Sequence, residues 1–295
     1  MDFNHPVVQS VLLPLILGFV LTGALRLLLG RYWGARVACV SISLSLLLVV
    51  LLLLGLTWPA NTAVHKLPYL LTGSVILGLL VDWQAQQRSL KIAAMLLWPL
   101  LVLGWLAAVR LRNPELSLIV ELAALSCASV LIFWRLERVR ADVLIPSSMV
   151  LSAAIGLGAV AALSASLSLG QLAFALAAAV GGFMLWNWPK RRDEFAYSGI
   201  FGAAGALLIL TALVLLLTDA RPIALAVLGL IFCADWVSNK LPPVEGKLGS
   251  ALKPIYLIGV AAIPIALAVV LTIYAPQEES PYYSSGEQKI VVRFG

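Results

Sequence analysis

Long apolar runs, broken by short polar and charged stretches, dominate the chain from residue 7 to residue 274. A bilayer core of about 30 Å takes about 20 residues of α-helix at about 1.5 Å each. On that scale the pattern predicts ten spans: residues 7–29, 37–58, 67–81, 92–109, 116–134, 143–163, 171–188, 196–217, 223–236 and 255–274. The third and ninth amount to only about 22 Å of helix at about 1.5 Å per residue. Each reads as a short span, a re-entrant segment or a helix sunk among its neighbours. The stretch 143–188 is too long for one span, and Ser164, Ser166, Ser168 and Gly170 mark where it turns. Runs such as 46–54 and 207–217 do not alternate apolar and polar positions, which excludes a β-barrel reading.

Composition takes the helices into lipid. Of 295 residues, 62% are hydrophobic and 12% charged, with a mean hydropathy of +1.02. A soluble domain carries roughly 25% charged residues. So few charges leave no water-facing surface, and lipid requires every backbone group to be bonded within the structure. The expected fold is an all-α, polytopic integral membrane bundle of about ten transmembrane helices. Residues 1–275 are expected to form one transmembrane domain and 276–295 a short extracytoplasmic tail. The opening MDFNHPVVQS has an acid and no basic segment, so the first apolar run is expected to remain as a span.

Charge then orients the bundle. Thirteen of the 20 Lys and Arg residues fall in loops after odd-numbered predicted spans and six on the other side, with Arg26 inside the first span. Basic loops mark the cytoplasmic side, which puts both termini outside the cytoplasm, and the expected location is a bacterial inner (plasma) membrane. The net charge of +6 is accordingly read as orientation and headgroup contact, not as nucleic-acid binding. Eight of nine tryptophans lie at or near predicted span ends, where amphipathic rings meet headgroups. Trp98 is the exception, deep in the fourth span and followed by Pro99. Three cysteines within apolar runs have no pairing or ligand spacing and read as small hydrophobes.

Candidate chemistry is sparse. Glu121 lies five residues into the fifth span, about one and a half turns below the surface. It reads as a proton- or cation-coupling carboxylate or a contact for a cationic substrate; an ion pair with Arg110, Arg112 or Lys66 is the structural alternative. Asp82, Asp142, Asp219 and Asp235 sit at span ends and are expected to reach headgroup water. Pro14, Pro99, Pro146 and Pro264 are expected to bend their helices. Pro99 beside Trp98 suggests an aromatic ring facing a cavity. The candidate site residues are therefore Glu121, Trp98 and Pro99. Small residues at four-residue steps (Ser152 with Gly156, Ala178 with Gly182, Ser198 with Gly202 and Ala206) predict a tightly packed interior for spans six to eight. The Leu-rich second span and the second half of the eighth are expected to face lipid. The pairs Asp82-Trp83 and Asp235-Trp236 echo each other, but at a distance of six spans, which does not fit a five-plus-five duplication.

Missing motifs narrow the function. There is no phosphate-binding loop (GKLGS at Gly246 has the wrong order), no HExxH and no aspartate-rich cluster. No histidine lies in any span to activate a serine; His5 and His65 belong to outer segments with no spacing for haem or metal. No cofactor or metal is expected. The expected function is a secondary transporter of a small solute; the alternative is a non-catalytic scaffold, assembly or anchoring subunit of a larger membrane complex. The expected partners are the lipid bilayer and other membrane subunits, not nucleic acid. In length and span count the chain is similar to the drug/metabolite transporter superfamily. It matches no motif of that superfamily and its expected termini lie on the opposite side, so no residue role carries over.

Overall fold

The computed structural model describes residues 8–84, 87–238 and 247–274, and they are helical throughout apart from turns and loops. In chain order the helices are α1 Val8–Leu28, α2 Gly30–Val37, α3 Val40–Leu54, α4 Val64–Trp83, α5 Arg88–Leu106 and α6 Leu116–Val139. They continue as α7 Leu144–Leu163, α8 Leu167–Asn187, α9 Tyr197–Leu217, α10 Pro222–Val237 and α11 Lys247–Ile273. His5 and the tail 276–295 lie outside the described residues.

Eight of these helices (α1, α4 to α9, and α11) are long and apolar enough to cross a membrane, so the protein is a polytopic helical membrane protein in contact with lipid. The expectation of ten is corrected to eight. Helix α3 has only 15 residues, and α10 is interrupted by the 3-10 stretch Gly229–Cys233. With eight spans, the likeness in span count to the drug/metabolite transporters falls away. The short third predicted span is full length as α4, because a 3-10 turn, Val64–Lys66, extends it ahead of Pro68.

Burial divides the helices into a centre and a rim. The apolar windows of α7 and α9 are 83% buried and that of α8 67%, against 17–44% for the other long helices. Helix α7 packs along α8, α1 along α8, α11 along α7 and α4 along α9. The small residues of spans six to eight do form this interior. At the α1–α8 crossing a β-carbon on Gly18 or Gly182 would fall closer than 3.0 Å to backbone of the facing helix (Ala179 and Leu15 respectively). The lipid-facing expectation fails for the second half of α9, where Leu208, Ile209, Leu210, Leu213 and Val214 are buried. It fails in part for α3, whose Ile42, Leu46, Val49 and Val50 are buried. Lipid tails and a helical core are equally apolar, so a leucine run does not say which of them it meets. The outward surface is instead carried by residues such as Ile92, Leu96, Leu97 and Leu100 on α5 and Ile255 and Ile263 on α11.

The loops after α2, α6 and α8 gather at one end. There Cys39 donates to the Glu194 carbonyl at 3.2 Å, Ser198 to the Arg36 carbonyl at 3.0 Å, and Asp142 meets Arg191 at 3.1 Å and Lys253 at 3.8 Å. At the opposite end Tyr69 donates to the Thr57 carbonyl at 3.0 Å and stacks edge-on with Trp58 and Trp105, while Lys66 donates to the Trp105 carbonyl at 2.7 Å.

Breaks in the helices follow from local chemistry. Gly55, at φ +68°, ends α3 in a conformation that suits a residue without a β-carbon. The turn between α7 and α8 falls at Ser164–Ser166 as expected, with Ser166 N–H bonded to the Ala161 carbonyl at 3.1 Å. Of the four prolines expected to bend spans, Pro146 is instead the third residue of α7 and Pro14 sits where the π turn Val8–Leu12 gives way to α-helix. Near a helix start the missing N–H removes little. Pro99 and Pro264 lie inside their helices.

Candidate functional site

A cavity of about 360 Å³ opens between α6, α7, α9 and α10. Helix α6 supplies one wall from Val120 and Glu121, through Ala124, Leu125, Ala128, Ser129 and Ile132, to Phe133. That is about 20 Å at about 1.5 Å per residue. The facing wall runs antiparallel along α9, from Leu215 and Thr211 down to Leu207 and Ala204, with Pro222, Ala226, Gly229 and Phe232 of α10 beside it. The space exists because small residues, Ala124, Ala128, Ala204, Ala226 and Gly229, line three different helices.

Glu121 stands at one end of this cleft, half-buried. Among the described residues it has no hydrogen-bond or ion-pair partner. The alternative ion pair with Arg110, Arg112 or Lys66 is not formed; the Lys66 ammonium goes instead to the Trp105 carbonyl and the face of its ring. The other polar groups in the wall are satisfied within their own helices. Ser129 donates to the Leu125 carbonyl at 2.6 Å and Thr211 to the Leu207 carbonyl at 2.8 Å. The far end is shut by aromatic rings, with Phe133 edge-on against Phe201 at 5.4 Å. Behind them Arg135 pairs with Asp235 and donates to the Phe232 carbonyl at 3.3 Å. Chemically, the cleft offers an apolar sleeve with one free carboxylate at its mouth.

Trp98 and Pro99 are elsewhere. Neither lines the cleft, and Pro99 is buried. The Trp98 indole covers Gly73 on α4 and reaches toward α9, where a β-carbon on Gly205 would lie 3.6 Å from its Nε1 and 3.1 Å from Ser74 Oγ. Both those polar atoms are buried without a protein partner, as is Ser43 Oγ beside Gly202. This cluster surrounds the π-helical stretch Ile200–Ala204 of α9, on the face turned away from the cleft. A second depression between α3 and α4, lined by residues such as Leu47, Leu51, Tyr69 and Ile76, holds no ionisable carboxylate or amine.

The basic end holds the polar structure that sequence reasoning missed. Asp82 and Asp235, expected to be solvated, are buried. Asp82 accepts the Tyr197 and Ser198 backbone N–H groups, both at 2.8 Å, and so caps α9 from another helix. Buried Tyr197 donates its hydroxyl to Glu137, and its ring lies 5.1 Å from the Lys91 ammonium and 4.9 Å from the Arg140 guanidinium. Arg26, inside the first predicted span, pairs with buried Asp193 and donates to the Arg192 carbonyl at 2.7 Å. Asn187 Oδ1 orders the same loop by accepting from Arg192 and Asp193 N–H at 3.2 and 2.9 Å. Cys39 here is fully buried, which pushes its thiol pKa well above the ordinary value. These contacts are structural ties. Among the described residues no three His, Cys, Asp or Glu side chains come together to hold a metal ion.

Compared with known protein families and with curated proteins, the chain matches none. Its class therefore rests on its own fold: a multi-spanning helical membrane protein, with a carboxylate in an apolar cleft that is unpaired among the described residues.

Proposed function

We propose that this protein is a secondary transporter of a small solute, and that its cargo or a coupled cation engages Glu121. The supporting observation is the carboxylate itself, held within a span at the mouth of a cleft with no protein partner among the described residues. An ionisable group in a span is costly, and such groups mark ion and substrate paths. Trp98 and Pro99, away from the cleft, are left out of the site. The convergence of basic loops at one end supports a cytoplasmic assignment for that end. Glu121 then faces the extracytoplasmic side of a bacterial inner (plasma) membrane, and so do both termini.

The test is uptake into proteoliposomes holding only the purified protein, with a panel of small cationic, zwitterionic, neutral and anionic solutes. At least one is expected to enter faster than into protein-free vesicles, with a loss of about tenfold or more in Glu121→Gln, the scale of a lost charge-assisted contact. Uptake of none, or uptake indifferent to the substitution, contradicts the proposal.

One observation favours a second reading. With Ser129 and Thr211 committed to their own helices, a polar solute meets a single polar group in the cleft. That suits a non-catalytic scaffold, assembly or anchoring subunit. Co-migration with other subunits in mild detergent, with no uptake by the isolated protein, is its signature.

A further inference from the structure

We propose that the ligand of the Glu121 cleft is a single-chain amphiphile with a cationic amine head, taken up from within the bilayer. The inference rests on reading the cleft as a ligand site, and adds the chemical class of what fills it.

Shape comes first. The cleft follows α6 for about 20 Å, from Val120 to Phe133, at about 1.5 Å per residue. A volume of about 360 Å³ drawn out over that length is a slot for one chain, not a chamber for a rounded polar solute. Its walls below Glu121 are Leu, Ile, Ala and Phe side chains, and the hydroxyls among them are already bonded. A sugar, amino acid or nucleotide would lose its hydration there without replacement. An alkyl chain loses nothing.

Charge sets the polarity of the ligand. At the mouth the Glu121 carboxylate has no paired cation among the described residues; Arg221, which precedes Pro222 of the wall, makes no ion pair with it. At the closed end Arg135 is matched by Asp235. A negative head therefore finds repulsion at one end and no free cation at the other. A neutral head leaves the carboxylate uncompensated. An ammonium at the mouth forms a charge-assisted hydrogen bond, about twice as strong as a neutral one. The cleft also reaches the lipid-facing surface, since Val120 and Ile223, on either side of the mouth, are 59% and 66% exposed.

Photolabelling of the full chain in phosphatidylcholine nanodiscs tests this. The probes are a dodecylamine with a diazirine near the chain end, and the alcohol and carboxylic acid of the same chain. The amine is expected to label residues such as Ala128, Thr211 and Ala226, and excess dodecylamine without the diazirine is expected to displace it. The alcohol and acid are expected to label the same peptides less by about fivefold or more, as befits loss of the charged contact. Glu121→Gln should bring amine labelling down to the alcohol's level and leave the alcohol's unchanged. Ala226→Trp, which fills the slot without touching the carboxylate, should abolish labelling of the cleft by all three. Equal labelling by the three probes, amine labelling that survives Glu121→Gln, or amine labelling confined to other surfaces would overturn the proposal. Amine labelling of the cleft in a protein that takes up nothing leaves this inference standing and overturns transport. Uptake dependent on Glu121 without preferential amine labelling does the reverse.

Discussion

Asp82 holds the backbone N–H of Ser198 at 2.8 Å across 116 residues of chain, and its second oxygen holds that of Tyr197. Residue Ala196, at the capping position of α9, has no side chain that accepts a hydrogen bond, so a carboxylate from α4 does the work. Gly78, one turn before Asp82, makes this possible: a β-carbon there would lie 2.6 Å from Ser198 Cα. Asp82→Ala leaves two buried donors without a partner and should cost about 2–4 kcal/mol. Asp82→Asn keeps one acceptor and should cost less. Thermal unfolding in detergent, followed by gel filtration of the soluble fraction, checks the order wild type, Asn, Ala.

The α1–α8 crossing depends on bare backbone. Gly182→Ala and Gly18→Ala each place a methyl group against main-chain atoms that no rotamer change can move. Each is expected to destabilise by about 1–3 kcal/mol. Gly181→Ala, whose added carbon would meet only Leu151 Cδ1 at 3.7 Å, should be tolerated. The same melting assay separates the three variants.

Arg26 and Asp193 form a pair in which the acid is fully buried and the base only 20% exposed. Removing one partner strands the other charge, so Arg26→Leu alone should cost about 3–5 kcal/mol. Arg26→Leu combined with Asp193→Leu should recover much of that loss, because replacing both members removes the stranded charge. A double-mutant cycle on unfolding midpoints measures the coupling.

What the sequence made legible follows from how each signal arises. Small residues at four-residue steps placed α7, α8 and α9 at the centre, since close helix approach needs them at those positions. Glu121 stood out as a charge within an apolar run. The cleft beside it was not legible, because its space is made by Ala128, Ala226 and Gly229 on helices far apart in sequence. Asp82 and Asp235 were read as solvated for a related reason. Nearness to a span end is visible in one dimension; a helix start at Tyr197 or a guanidinium at Arg135 waiting there is not.

Trp98 illustrates a signal that was real but meant something else. Its depth in the span suggested a ring facing a cavity; it packs instead over Gly73, with a buried N–H that has no protein partner. Trp98→Phe removes that donor and keeps an aromatic ring. It should change stability by no more than about 1 kcal/mol, since deleting an unsatisfied polar group offsets the lost contacts. A loss well beyond that in thermal unfolding would show the indole N–H to be engaged.

Glu121 lies within a span, unpaired among the described residues, at a cleft mouth whose Val120 and Ile223 are exposed to lipid. Dicyclohexylcarbodiimide, an apolar reagent that converts carboxyl groups inside membranes to stable N-acylureas, tests this directly on the protein in nanodiscs. Peptide mass mapping should find Glu121 as the principal adduct, absent in Glu121→Gln, with Asp82, Asp193 and Asp235 unmodified behind their partners. An unreacted Glu121 alongside adducts on those three aspartates would contradict the account.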